Sequence, residues 1–273
     1  MRSSALFGIA ACLLIGATGL AQRLLLEHDE GPRPQFPREG EFHFVRLQYD
    51  DLPQFHRRWG YASRRADAEG WWIVDWPDAD EHFSSGVQRL TRIETGEPRT
   101  MRLADDRIFD HPWIYATQAG WWNLSDREVT RLREYLLRGG FLVVDDFWGP
   151  DQWEVFRQTM ARTLPGAAIT DIDDADPMMH VLYSIEAKDR TTIPGTRHLR
   201  IGDNGAIAVR YPEGAIPAWR ALRDPNGRIV VAVNFNTDVG DAWEWADSPE
   251  YPEAMTALAY RYGINYLVYA MTH

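Results

Sequence analysis

The sequence predicts an α/β fold with a mostly parallel sheet covered by helices on both faces. Two observations carry this. Apolar runs of strand length alternate with stretches whose apolar residues recur at helical spacing. One run, Gly139 to Asp146, is continuously apolar between a Gly-Gly pair and two carboxylates, as befits a strand buried on both faces. At 273 residues the chain can bury a sizeable core in one such domain after a short N-terminal segment.

Residues 1–26 read as a targeting segment. Arg2 supplies the positive start, Ala5 to Ala21 is apolar, and Gly19-Leu20-Ala21 resembles a small-x-small cleavage site. The run is shorter than the roughly 20 residues a spanning helix prefers. A cleaved signal peptide leads. A retained anchor and lipidation at Cys12, where Ile9-Ala10-Ala11-Cys12 is lipobox-like, stay open. Each places the folded part outside the cytoplasm, either periplasmic or secreted, or anchored to the outer face of the inner membrane. Membrane contact is expected only through this segment. Residues 27–40, with three prolines and two glycines, form a linker. The domain then spans 41–273.

Phe42 to Tyr49 alternates apolar and polar positions, giving a first strand that ends in Asp50-Asp51. Arg57 to Trp76 is aromatic and irregular and predicts a loop packed over the domain. Asp78 is a fair N-cap, and Phe83, Val87 and Leu90 set out a helix of about three turns. Met101 to Asp110 reads as a connection, His111 to Thr117 as a second strand. Ser125 and Glu128 form a capping box before the stripe Val129, Leu132, Leu136, Leu137, and Gly139-Gly140 stop that helix. A helix from Asp151 ends near Leu164-Pro165-Gly166, and Ala167 to Thr170 is a short edge strand. Asp171 to Pro225, rich in Asp, Gly and Pro, predicts hairpins and an insertion. Arg228 to Asn236 is a strong buried strand followed by a loop holding Asp241, Trp243, Glu244 and Trp245. Tyr251 to Tyr262 is a helix, and Ile264 to Ala270 a closing apolar segment.

Parallel strands point one way, so their C-terminal ends share a rim, where α/β sheets bind ligands. That rim should gather Asp50, Asp51, Trp121, Trp122, Asp145, Asp146, Trp148, Asp238, Asp241 and Trp243. Of these, Asp145, Asp146, Trp148, Asp238, Asp241, Trp243 and Asp50 are the candidate ligand-binding residues. Tryptophan faces stack on sugars and carboxylates accept hydroxyl hydrogen bonds, so a polar small molecule or glycan suits the set. The bland alternative makes the tryptophans core plugs, with Asp145 capping the turn that follows it and Asp146 paired with an arginine. Carboxylates could also hold a hard cation, but no ligand spacing is present and no metal site is assigned. Glycosidase chemistry would need a pair such as Asp146–Asp238 or Asp145–Asp241, since neighbours on a strand point to opposite faces.

Composition removes several classes. The net charge of -11 argues against nucleic acid. Cys12 is the only cysteine and lies in the targeting segment, so the domain has no disulfide and no thiol nucleophile. Lys188 is the only lysine. There is no Gly-x-Ser-x-Gly elbow, and the histidines lack triad spacing. No motif names a cofactor.

Phe44 to Tyr49, Trp76-Pro77-Asp78-Ala79, Asp110 to Tyr115, Leu124-Ser125 with Leu132 to Leu136, Gly139 to Asp146, Asn236-Thr237-Asp238 with Trp243-Glu244-Trp245, and Gly263 to Tyr266 together resemble the domain-of-unknown-function family 4159. The resemblance covers roughly Glu41 to Thr272. It implies a flavodoxin-like three-layer sandwich of the class I glutamine-amidotransferase-like kind, similar to ThuA-like domains. It implies no established activity. In amidotransferases the strand after such a Gly-Gly stop leads to the catalytic Cys, and a late strand to the catalytic His. Here Asp145-Asp146 and Asp238 hold the similar positions. The expected function is therefore a non-catalytic extracytoplasmic module, binding a polar ligand or an envelope protein partner through a degenerate site. A carboxylate-dependent hydrolase of a carbohydrate or envelope substrate, metal-assisted or not, is the alternative, and a purely structural envelope protein the third.

Overall fold

A computed structural model of the chain describes residues 33–54, 70–202, 206–210 and 215–273. The targeting segment at 1–26, most of the irregular stretch at 57–76 and parts of the 171–225 insertion lie outside the described residues.

The molecule is mixed α/β. A seven-stranded sheet contains β1 (Val45–Gln48), β2 (Arg99–Arg102), β3 (Trp113–Thr117), β4 (Phe141–Phe147), β5 (Thr170–Asp171), β8 (Ala218–Arg223) and β9 (Ile229–Phe235). Its order is β2-β1-β3-β4-β9-β8-β5. The first five of these run parallel; β8 is antiparallel to β9, and β5 to β8. A separate hairpin pairs β6 (Leu199–Ile201) with β7 (Ile207–Val209).

Helices cover both faces, compatible with a three-layer sandwich. They are α1 (Asp78–Leu90), α2 (Asp126–Leu137), α3 (Gly149–Thr163), α4 (Val239–Glu244) and α5 (Glu253–Thr272). The strand alternation sorts the core into two clusters. On one face Phe44, Trp113, Tyr115, Phe141 and Val143 meet Phe83 of α1, Trp243 of α4 and Tyr262 of α5. On the other, Val45, Ile114, Leu142 and Val144 meet Leu132 of α2 and Phe156 of α3.

Most elements form where their residues require. Ser125 Oγ accepts from Glu128 N at 3.3 Å and Glu128 Oε2 accepts from Ser125 N at 2.9 Å, so both orphan donors at the start of α2 are met. Arg138 caps α2, and Gly139 follows at φ 104°, a left-handed turn that glycine enters without a Cβ clash. Helix α3 starts two residues earlier than Asp151, because Pro150 falls in its first turn, where its missing N–H costs nothing.

Four elements depart from the sequence expectation. Met101 belongs to β2, an edge strand in which it alone is fully buried, so no alternating pattern marks it. The short strand after α3 is Thr170–Asp171, one to three residues later than expected and exposed. Asp241, Trp243 and Glu244 stand on helix α4, whose N-cap is Asp238. The expected helix and closing segment at the C-terminus are one 20-residue helix, α5. Gly263 does not break it: a Cβ there would lie 2.5 Å from Phe83 and 2.7 Å from Trp243, so the glycine lets α5 press onto both rings. Among the described residues no helix is long and apolar enough to cross a membrane.

Candidate functional site

The C-terminal ends of β3, β4 and β9 do converge, and backbone strain concentrates there. Among the described residues, four that are not glycine have positive φ: Asp75 (65°), Gln118 (53°), Asp146 (48°) and Asn236 (57°). Gln118 follows β3, Asp146 ends β4, Asn236 follows β9, and Asp75 precedes α1. Left-handed non-glycine residues cost of order 1–3 kcal/mol each and gather at functional sites.

Asp145 and Asp146 turn apart. Asp145 Oδ2 accepts from Tyr115 Oη at 2.9 Å and from Val239 N and Gly240 N at 2.8 and 2.9 Å. It staples the start of α4 to β4. Asp145 thus caps a turn, but the one after β9 rather than the one that follows it in sequence. Burial first, then repulsion from Asp146, raises its carboxyl above the usual range. A register shift between Val144 and Phe147 in the β4–β9 pairing lets Asp146 leave the pleat. Its Oδ1 accepts from Trp148 Nε1 at 2.7 Å and from Arg197 Nη2 at 2.5 Å, and its Oδ2 from Gln118 Nε2. Arg197 lies over the Trp148 ring, 5.4 Å from its centroid, and is half exposed at the mouth. Burial works against the Arg197 charge, but Asp146 and Asp238 more than offset it, so the guanidinium stays protonated. Trp148 is half-buried and also meets the His198 ring edge-on at 4.4 Å.

Residues 193–198 come from the insertion and strap the rim. Ile193 N donates to Thr237 Oγ1 at 2.9 Å, Asp238 N donates to Ile193 O at 3.0 Å, and Tyr251 Oη donates to Pro194 O at 2.6 Å. Thr196 donates twice to Asp241 Oδ2, from N at 2.6 Å and Oγ1 at 3.1 Å.

Beneath the strap stands a carboxylate trio. Asp75, Asp238 and Asp241 each bring an oxygen within 4.8 Å of the others, the one such His, Cys, Asp or Glu group among the described residues. Asp238 Oδ1 caps α4 by accepting from Asp241 N at 2.9 Å, but its Oδ2 is enclosed without a donor, as is Asp75 Oδ2. Burial, then the neighbouring carboxylates, pushes Asp75 and Asp238 well above the carboxylate range. Glu244 is raised for the same reasons, by burial and then by Asp241.

Asp75 is delivered by a different device. Arg46 is fully buried, forks onto Asp80 through Nε at 3.1 and 3.0 Å and through Nη2, and donates from Nη1 to Trp72 O at 3.3 Å and Val74 O at 2.7 Å. That arginine fixes the backbone one residue before Asp75. Its guanidinium also sits 5.1 Å from the Tyr115 ring centroid.

Asp146, Trp148, Asp238 and Asp241 therefore meet at one rim, as their positions in the sequence predict. Asp145 is buried beneath them, its Oδ2 taken up by Tyr115 and the start of α4, and two candidates stand apart from the rim. Trp243 is fully buried, 4.5 Å from Phe83 and 5.6 Å from Tyr115, and serves the core. Asp50 is exposed and pairs with Arg102 of β2 at 3.0 Å. Trp122 is likewise a core residue, stacked on Phe156. Asp75, Gln118, Thr196, Arg197 and Glu244 join the site without a local signal in the sequence. Among the described residues, open grooves also lie by Leu90, Leu182 and Met271 and by Leu137, Leu164 and Pro165, and neither gathers a carboxylate cluster.

This is an α/β protein whose strand ends carry a strained, buried, carboxylate-rich rim. The family model for Domain of unknown function (DUF4159) matches residues 43–271, and the chain belongs to that family. Comparison with curated proteins returns no significant match.

Proposed function

We propose that the domain is an extracytoplasmic, non-catalytic binding module with a degenerate amidotransferase-like site, taking a hydroxyl-rich ligand such as a glycan at its acidic rim. The order β2-β1-β3-β4-β9 of the parallel strands matches the flavodoxin-like doubly wound pattern, which supports the amidotransferase-like reading of the fold. The observation that carries the binding reading is Asp146. It sits in left-handed backbone at the end of β4, where a strained elbow would hold a nucleophile, yet its oxygens are taken up by Trp148, Arg197 and Gln118. A carboxylate so engaged orients neighbours instead of attacking. Arg197 and Trp148, stacked at the mouth, offer donors and an aromatic face.

The test is a glycan array with a polyol panel, run on wild type and Arg197→Ala. Binding by wild type that falls about tenfold or more in the variant, with unchanged circular dichroism, supports the reading. Equal binding by both rejects it. A second reading, a carboxylate-dependent hydrolase, draws on Asp75 and Asp238, whose raised carboxyls lie beside the Arg197-paired Asp146, an acid and base arrangement in outline. Turnover of glycan or ester substrates that Asp238→Asn abolishes would favour it.

A further inference from the structure

The oxygens of Asp75, Asp238 and Asp241 point to a function beyond hydroxyl recognition: we propose that they bind a hard divalent cation of Ca²⁺ type. The inference shares the rim with the binding reading and rests on it only for location. Two places in the fold bring three carboxylates together: Asp75 stands in the turn before α1, and Asp238 and Asp241 are the N-cap and a first-turn residue of α4. Oxygens sharing one Ca²⁺ at about 2.3–2.6 Å stand no more than about 5 Å apart, and these lie within 4.8 Å of one another.

Asp238 supplies the independent observation. It is 1% exposed, and its Oδ2 has no donor although its Oδ1 and its backbone N–H are both bonded. Buried polar atoms are satisfied in the great majority of cases, and an exception calls for a cause. This oxygen lies on the side of Asp238 that faces Asp241 Oδ2, since both meet the same point at Gly195. A Cβ on Gly195 would stand 2.5 Å from it and 3.0 Å from Asp241 Oδ2, so both oxygens press against one side-chain-free surface. Asp75 Oδ2 is enclosed and donor-free beside Gly240, where a Cβ would stand 2.8 Å from it. Glycines at both places let the backbone close onto these oxygens, where any Cβ would collide with them. Hard cations take such all-oxygen sets, completing their shell with water.

The experiment uses the full chain, stripped with EDTA and then titrated with Tb³⁺, Ca²⁺ and Mg²⁺. Tyr115 Oη meets Asp75 Oδ2 and Asp238 Oδ1 around Gly240, close enough to sensitise Tb³⁺ luminescence. Saturable luminescence that Ca²⁺ displaces is expected. Asp238→Asn and Asp75→Asn should each weaken it about tenfold or more, because ligand charge sets affinity in such sites. Both variants keep the fold, since asparagine caps helices and tolerates left-handed backbone. Asp50→Asn should leave affinity unchanged. No saturable signal, or equal affinity in Asp238→Asn, overturns the proposal. Glycan binding by the EDTA-treated protein is read in parallel, so loss of the cation site and loss of the ligand site are distinguishable.

Discussion

Two buried charge arrangements meet at residues 74 and 75, and they are resolved in opposite ways. Below, Arg46 and Asp80 form a fully buried, forked ion pair whose remaining guanidinium protons reach backbone carbonyls. The pair is matched charge for charge, and it holds a segment in place. Above, Asp75, Asp238 and Asp241 bring like charges together, and two of their oxygens have no donor. The first arrangement completes itself with protein atoms. The second is completed only by protons or by a cation from outside. A buried charge with its counter-charge supplied is architecture, and one without it is a binding site in waiting.

The largest expected effect breaks the satisfied half. Asp80→Ala leaves Arg46 buried without its partner, which costs about 3–5 kcal/mol. Urea unfolding should show the loss, and metal affinity should fall with it, because Arg46 positions the backbone at Val74. A loss well under about 1 kcal/mol would mean that the pair is not the anchor described.

Next comes the unsatisfied half, with the opposite sign. Burial, then the neighbouring carboxylates, raises Asp75, Asp238 and Glu244 above their unfolded values near 4. Folded protein then binds more protons than unfolded, so metal-free stability falls as pH rises above about 4. Asp238→Asn removes one such group, and should raise metal-free stability at pH 7 while flattening the pH slope. A destabilised variant with an unchanged slope would show that the carboxylate is compensated after all.

Arg197→Ala sharpens the contrast from the side. Asp146 keeps the donors of Gln118 and Trp148, so the expected stability loss is about 1 kcal/mol, within the range of a charged hydrogen bond at a half-exposed position. The main readout there is glycan binding. Smallest is Asp50→Asn. Its exposed pair with Arg102 should contribute about 0–0.5 kcal/mol, and thermal unfolding should barely move.

How much of the fold and of the site is legible in the sequence depends on the range of each signal. The strand from Phe141 to Phe147 and the box at Ser125 and Glu128 are local, and both stand where the sequence places them. Asp146, Trp148, Asp238 and Asp241 are reachable because parallel strands share an end. Trp243 is not a rim residue because α4, which opens Asp-Val-Gly and reads as a turn, rotates it into the core. Asp50 falls away because β1 ends beside the edge strand β2, where Arg102 meets it in solvent. Arg197 and Thr196 reach the site from an irregular insertion, over hydrogen bonds spanning 51 and 45 residues. Asp75 depends on Arg46, whose buried fork onto Asp80 no periodicity announces.

The oxygens of Asp75, Asp238 and Asp241 are gathered to take a cation. Isothermal titration of Ca²⁺ into EDTA-stripped protein tests this most directly, run at pH 7 in two buffers of different ionisation enthalpy. The predicted result, in either buffer, is saturable binding heat with wild type that weakens about tenfold or more in Asp238→Asn. Absence of binding heat with wild type, or equal affinity in the variant, would contradict it.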